Sequence, residues 1–325
     1  NSIAHIGKSV LIDTDYNLYH GMNLLRLRVD AKLNSPQFVY FAINTPAVRN
    51  SIQGRANKAV NQASINQTEL GRTIILSPSR AEQQKIADCL SSLDELITAE
   101  TQKLDALKTH KKGLMQQLFP REGETVPRLR FPEFREVESW LKAPAGELFS
   151  NRLERGRSGL PIYSVTMTDG LVPRASLDRK IDDIAETGAN KTARSGDLAY
   201  NMMRMWQGAV GMATEDCMVS PAYIVLKPQG VNPLFFYFLL KLPQSLRALT
   251  AYSKGLTEDR LRLYYEDFAK MTLQCPSLPE QDRIADCLIS VDKLIDAQSQ
   301  KIGALKLHKR GLMQQLFPAP NEVPA

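Results

Sequence analysis

The residues best placed to do chemistry sit in one short polar run. Between Tyr252 and Phe268 the chain reads YSKGLTEDRLRLYYEDF, which sets Tyr252, Lys254, Arg260 and Arg262 beside a glycine. Lysine and arginine grip phosphate, and arginine can also read a base edge through two parallel hydrogen bonds. A second run, GRANKAVNQASINQTEL (Gly54–Leu70), offers Arg55, Lys58 and Asn61, a comparable set of basic and amide side chains. Two further runs rank below these. NRLERGRSG (Asn151–Gly159) carries Arg152, Arg155 and Arg157, and NMMRMWQG (Asn201–Gly208) carries Arg204 beside Trp206 and Gln207. Met202, Met203 and Met205 in the last run read as core, because thioethers fill apolar gaps. The plain alternative for each run is a solvated polar loop.

Catalytic and metal-binding patterns do not assemble. HIGKSV (His5–Val10) contains Gly-Lys-Ser but lacks the upstream glycine of a phosphate loop. NPLF (Asn232–Phe235) is close to an amino-methyltransferase loop, yet Leu234 stands where that loop has a second proline, so it reads as a helix start. The four cysteines, Cys89, Cys217, Cys275 and Cys287, show neither C-x-x-C nor Cys/His spacing, which argues against zinc and for buried free thiols in a reducing compartment. His110 and His308 read as helix-surface or interface residues. The expectation is a non-enzymatic chain with no cofactor and no metal. A net charge of +6 permits a polyanionic partner without requiring one. The longest apolar run, NPLFFYFLLKLP (Asn232–Pro243), falls short of the roughly 18 residues a membrane span needs. With no signal-peptide pattern at its start, the chain is expected in the cytoplasm and away from membranes.

The elements that must position the polar runs are written twice. Glu82–Pro120 matches Glu280–Pro318 at 27 of 39 positions, without a gap and at a constant offset of 198. Upstream the likeness continues more weakly. NLLRL (Asn23–Leu27) parallels AYIVL (Ala222–Leu226), PQFVYF (Pro36–Phe41) parallels PLFFYF (Pro233–Phe238), and LSPSRAEQ (Leu76–Gln83) parallels QCPSLPEQ (Gln274–Gln281). The two leading polar runs correspond at this offset. Each copy is therefore a globular module followed by a helix. Residues 1–79 stand opposite only the second half of 136–278, and the chain opens on Asn1, so the first module is expected to lack its beginning.

Ser79-x-x-Glu82 and Ser277-x-x-Glu280 are capping boxes, and Pro120 and Pro318 stop the helices they start. A helix of 39 residues is about 58 Å long at ~1.5 Å per residue, longer than a cover for one sheet. Apolar residues recur by four and three: Leu93, Ile97, Leu104, Leu107, Leu114 and Leu118 in the first copy, Val291, Ile295, Ile302, Leu305, Leu312 and Leu316 in the second. That spacing makes a seam for a partner helix. The polar seam positions are Glu100 and Lys111, then Gln298 and Lys309. A parallel pair would set Lys111 against Lys309, which is costly. An antiparallel pair with numbers summing to 409 sets Glu100 on Lys309 and Lys111 on Gln298, with every apolar residue on an apolar partner.

The pattern P-x-x-x-E-Q-x-x-I (Pro78–Ile86 and Pro276–Ile284), the QQLF helix ends and the linker VPRLRFPEFREVESW (Val126–Trp140) together resemble the specificity subunits of type I restriction–modification systems. The resemblance covers essentially the whole chain. It implies an α+β fold with two target-recognition modules, the first incomplete, joined by two long helices that form an antiparallel coiled-coil spacer with a pseudo-twofold repeat. The divisions are 1–79 (first module), 80–120 (first helix), 121–135 (linker), 136–278 (second module), 279–318 (second helix) and 319–325 (tail). It further implies a bipartite double-stranded DNA target, methyltransferase (modification) subunits bound to the helices, and a restriction (translocase–nuclease) subunit reached through that complex. The competing expectation is a truncated chain that serves as an assembly or decoy piece and reads no DNA by itself.

Overall fold

The computed structural model describes residues 3–14, 17–59, 62–177, 187–257 and 260–318. It divides into two compact units, Asn1–Ala106 with Ile295–Ala325, and Leu107–Leu294. Each unit thus joins one module to stretches of both long helices.

In the first unit, α1 (Pro36–Ile43) starts from Ser35 and α2 (Pro46–Gly54) from Thr45, and each helix opens on a proline. A hydroxyl acceptor before proline is a strong helix start, because proline lacks the amide that a first turn leaves unbonded. A hairpin follows, β1 (Asn57–Ala59) antiparallel to β2 (Gln62–Ser64), then the short α3 (Gln67–Gly71). Phe38, Phe41 and Ala42 pack on Ile86, Ala87 and Leu90 of α4 (Arg80–Leu118). The run NLLRLRV (Asn23–Val29), alternating in a strand-like way, forms no strand, and Leu24, Leu25 and Leu27 are exposed.

The second unit explains that difference. It contains β3 (Leu141–Pro144), α5 (Ala145–Leu148), β4 (Phe149–Asn151), β5 (Tyr163–Val165), β6 (Leu171–Pro173), β7 (Lys191–Ala193), β8 (Leu198–Asn201), β9 (Val210–Met212), β10 (Cys217–Val219) and β11 (Tyr223–Pro228). These are followed by α6 (Pro233–Leu240), α7 (Pro243–Tyr252), α8 (Tyr265–Phe268), β12 (Thr272–Cys275) and α9 (Leu278–Leu316). The main sheet is antiparallel with order β4-β11-β8-β9. Its inner strand β11, the counterpart of Asn23–Val29, is buried along Ile224–Leu226 between β4 and β8. A strand needs partners for its amides and carbonyls. Among the described residues the first unit holds no counterpart of β4 or β8, so the same pattern stays unpaired there. NPLF is a helix start, with the Asn232 side chain accepting from the Leu234 and Phe235 amides. All four cysteines are free, but only Cys217 is buried; Cys275 and Cys287 are half-buried and Cys89 is exposed.

The repeated glutamine locks each module to its helix. Gln83, 1% exposed, accepts from the Ser35 amide that caps α1 and donates to the Pro78 carbonyl and Ser77 hydroxyl. Its repeat equivalent Gln281 accepts from the amide of Asn232, the cap of α6, and donates to the Pro276 carbonyl.

α4 and α9 each run 39 residues, and they are antiparallel within each unit. In the first unit Lys309 bonds Asp94, while Glu100 receives Gln298 and Lys301. In the second unit Lys111 bonds Asp292. These partners replace the expected Glu100–Lys309 and Lys111–Gln298 pairs, a slide of about one heptad. Sliding by a heptad keeps apolar residues on apolar residues, so the seam alone does not choose between registers. Asp94 and Asp292, beside the seam, make that choice. Leu93, Ile97, Leu104, Leu107, Leu114, Ile295, Leu305, Leu312 and Leu316 are half-buried, and Leu118, Val291, Gln298 and Ile302 are buried.

Two outcomes follow. Gln281→Ala should lower stability by about 1–3 kcal/mol, since it strips a half-buried amide and a buried carbonyl of their partner; thermal unfolding of the full chain reads this. The hydrogen bonds from Lys301 and then Gln298 hold the Glu100 carboxyl below its ordinary 4.5. Its contribution is therefore complete above that pH and is lost as pH falls through the depressed value. As pH falls below 4.5 the melting temperature should fall less steeply in Glu100→Gln than in the unchanged chain.

Candidate nucleic-acid interface

The leading polar run is a pinned hairpin. Lys254 and Arg262 exchange two backbone hydrogen bonds of 2.9 Å each, which close the loop at its base. Gly255 is required there, because a Cβ would lie 2.5 Å from the Arg260 carbonyl oxygen. The loop leaves α7 on one side, and on the other Leu263 is tied by its amide to the Met202 carbonyl and is fully buried. Arg260 and Arg262 are exposed, as is Tyr252 at 40%. The Lys254 ammonium bonds Asp267 at 2.8 Å but stays 67% exposed. This bond, before the nearby Lys270, holds the Asp267 carboxyl below its usual range. A cation steadied by one carboxylate and still open to solvent keeps donors for a phosphate.

The first module presents a hairpin at the corresponding place. Asn57 lies opposite Ser64 in the β1–β2 pair, and Lys58 opposite Ala63. Arg55 is exposed at the end of α2. Asn61 falls outside the described residues.

The second-rank arginines divide. Arg152 belongs to the fold: its guanidinium forks onto Asp197, whose side chain is only 3% exposed, and the Arg194 amide bonds the same carboxylate. A buried carboxylate demands such a partner, which removes Arg152 from the set available to a ligand. Arg194, absent from the expected set, links Glu154 to Asp216. Arg194 depresses the Glu154 carboxyl, and the Ser195 amide, then Arg194, depress that of Asp216. Arg157 leans on Glu154 at 2.9 Å and stays 64% exposed. Arg155 is exposed and pairs through its backbone with Lys191. Lys191, also unforeseen, donates to the Tyr223 carbonyl, and burial pulls its ammonium below the ordinary value. Arg204 is exposed and reaches Gln207 at 3.4 Å. Met205 is core and Met202 packs on it, but Met203 is 41% exposed.

Sequence reasoning also passed over Leu256, 96% exposed inside the hairpin, and Tyr264, 39% exposed just after it. The signal for Leu256 was an apolar residue wedged between a glycine and a threonine in a polar run. Among the described residues no cluster of three or more metal-type ligands occurs. Nor is any helix among them long and apolar enough to cross a membrane.

The fold and these hairpins define a duplicated, two-module α+β protein that carries basic loops on a helical frame. The sequence model of the type I restriction modification DNA specificity domain matches residues 1–109 and again 200–307, about two thirds of the chain, and the chain belongs to that family. The chain is 26% identical over 339 residues to the putative type I restriction enzyme MjaX specificity subunit of Methanocaldococcus jannaschii, across 98% of this chain and 76% of that protein. It is 22% identical over 259 residues to the MjaVIII specificity subunit of the same organism, across 74% of this chain and 60% of that one. Among solved structures, the S subunit of a type I restriction–modification system from M. genitalium aligns with a TM-score of 0.55 at 15% identity, over 89% of this chain and 74% of that one. A structure described as the basis of complex assembly and conformational transition of the type I R-M system aligns at 0.54 and 16%, over 90% and 73%. At such identities the likeness is one of fold.

The two kinds of arginine should separate in a stability measurement. Arg152→Ala leaves the Asp197 carboxylate buried without its guanidinium partner and should cost about 1–3 kcal/mol. Arg260→Ala should change stability by less than about 0.5 kcal/mol.

Proposed function

We propose that the chain is the non-catalytic specificity subunit of a cytoplasmic type I restriction–modification complex and reads a bipartite double-stranded DNA target. Residues 136–278 read one half through the Lys254–Arg262 hairpin. Residues 1–79 approach the other through the hairpin that begins after Arg55. The long helices, 80–120 and 279–318, with the linker 121–135 and the tail 319–325, fix the spacing and hold the modification subunits, which in turn bring the restriction subunit. The observation that carries this reading is the equivalence of two basic hairpins at one repeat offset in a chain of this family: the two family matches begin and end about 198 residues apart. Duplex DNA offers equivalent groove faces one helical turn apart, which suits a duplicated reader.

A second reading, an assembly or decoy chain without DNA reading of its own, draws on the unpaired Asn23–Val29 segment. Binding of the chain to duplex DNA, alone and with a modification subunit, separates the two.

Alanine at Lys254, Arg260 and Arg262, singly and together, tests the assignment. Loss of a phosphate contact should weaken binding to every sequence and lower the salt slope by about one. Loss of a base contact should cost about 1–3 kcal/mol on the cognate site only. If the triple variant keeps both affinity and sequence preference, the hairpin is not the reader.

A further inference from the structure

The segment between α7 and α8 carries three leucines, and the structure treats them differently. Leu263 is fully buried and Leu261 half-buried, so both tie the hairpin to the module. Leu256 is 96% exposed, and among the described residues of the second unit no other large apolar side chain is so open to solvent.

A single exposed apolar residue is ordinary on a protein surface. Leu256 is set apart by the stiffness and the charge of its surroundings. Lys254 and Arg262 exchange their two backbone hydrogen bonds on one side of it, and the Arg260 amide donates to the Thr257 carbonyl at 2.9 Å on the other. Between these ties Gly255 lies against the opposite arm, where a Cβ would come within 2.9 Å of the Leu261 nitrogen. The base of the hairpin is fixed in turn. The Leu263 amide donates to the Met202 carbonyl, and the Tyr200 hydroxyl donates to the Leu263 carbonyl at 3.3 Å. Leu256 therefore projects into solvent from a backbone held on both sides. Three exposed cations, Lys254, Arg260 and Arg262, share the hairpin with it; the acidic pair Glu258 and Asp259 lies outside the described residues.

We infer that Leu256 is an apolar wedge, which the hairpin inserts between two adjacent base pairs of the half-site read by residues 136–278, unstacking that step and kinking the duplex. The inference rests on the DNA reading proposed above and adds a deformation to it. An aliphatic side chain in a base step gains apolar contact with the bases, and the kink it makes, about 20–90°, lets the duplex meet more of the protein's surface. The cations beside the wedge then grip the flanking phosphates. Because the hairpin is already ordered, little conformational entropy is lost on insertion. The step is selected by its ease of kinking, so a pyrimidine–purine step is favoured there without a hydrogen bond to a base edge. The first module lacks the device. At the repeat offset the residue opposite Leu256 is Lys58, paired with Ala63 in the β1–β2 hairpin, and a lysine grips phosphate rather than parting bases. The distortion therefore falls in one half-site only.

The test uses the full chain and a duplex that the chain itself selects from a random-sequence pool. The duplex is labelled at both ends for energy transfer and carries 2-aminopurine at each adenine of the site in turn. No modification subunit is present, so base extrusion by a methyltransferase cannot supply the signal. The unchanged chain should shorten the end-to-end distance and raise 2-aminopurine fluorescence at one step of one half-site. Leu256→Asn should remove both signals and weaken binding about tenfold, while its melting temperature stays that of the unchanged chain. Leu256→Met should keep both signals, because methionine also serves as a wedge. A bound duplex that stays straight and stacked overturns the wedge and leaves DNA reading intact, whereas a chain that selects no duplex overturns both. Equal signals from Leu256→Asn also overturn the wedge. If that variant instead loses only its capture of a modification subunit, Leu256 is a protein contact.

Discussion

The structure depends first on a buried side-chain amide. Gln83 and Gln281 each accept from the amide that caps a module helix and donate to the carbonyl of the proline that precedes a long helix. A glutamine can do both because its carboxamide carries an acceptor and two donors on one rigid plane. A glutamate could accept but not donate, and it would place a charge where almost no water reaches. Each module is therefore held to its helix by directional bonds as well as apolar packing. The polar hairpins inherit a fixed place relative to that helix start.

Duplication then sets its own constraint. A contact made by one copy is available to the other, and the structure repeats several: Lys111–Asp292 and Lys309–Asp94, Phe119–Phe235 and Phe317–Phe38. Glu100 meets Gln298, its own equivalent in the second copy. Two glutamates there would repel in a sheltered seam. The change of one to glutamine turns the clash into a hydrogen bond, and Lys301 neutralises the remaining carboxylate. The repeats have diverged where symmetry would have been costly.

Within the second module, cations sort by their carboxylates. Arg152 and Arg194 satisfy Asp197, Glu154 and Asp216 and keep the sheet edge in order. Lys254 is tied by one bond to a carboxylate, and Arg260 and Arg262 are exposed on a loop that Gly255 lets close tightly. The same residue type thus does two jobs, and the nearest carboxylate decides which.

The sequence alone determined the duplication, the two 39-residue helices with their stops, the antiparallel sense of their pairing and the placement of polar loops, because each is written in local spacing and residue type. The α+β class and the family likeness rested on those same motifs. Tertiary structure decided the rest. The register went to Asp94 and Asp292, since a heptad pattern is degenerate to sliding and only flanking charges break the tie. Asn23–Val29 carries a strand pattern but forms no strand, because strand formation is a property of a pair. Arg152 and Arg157, three residues from Glu154 on either count at most, look alike in the chain; one is sheltered against Asp197 and the other lies in solvent, a distinction that exists only once β4 and distant β8 have paired on either side of β11.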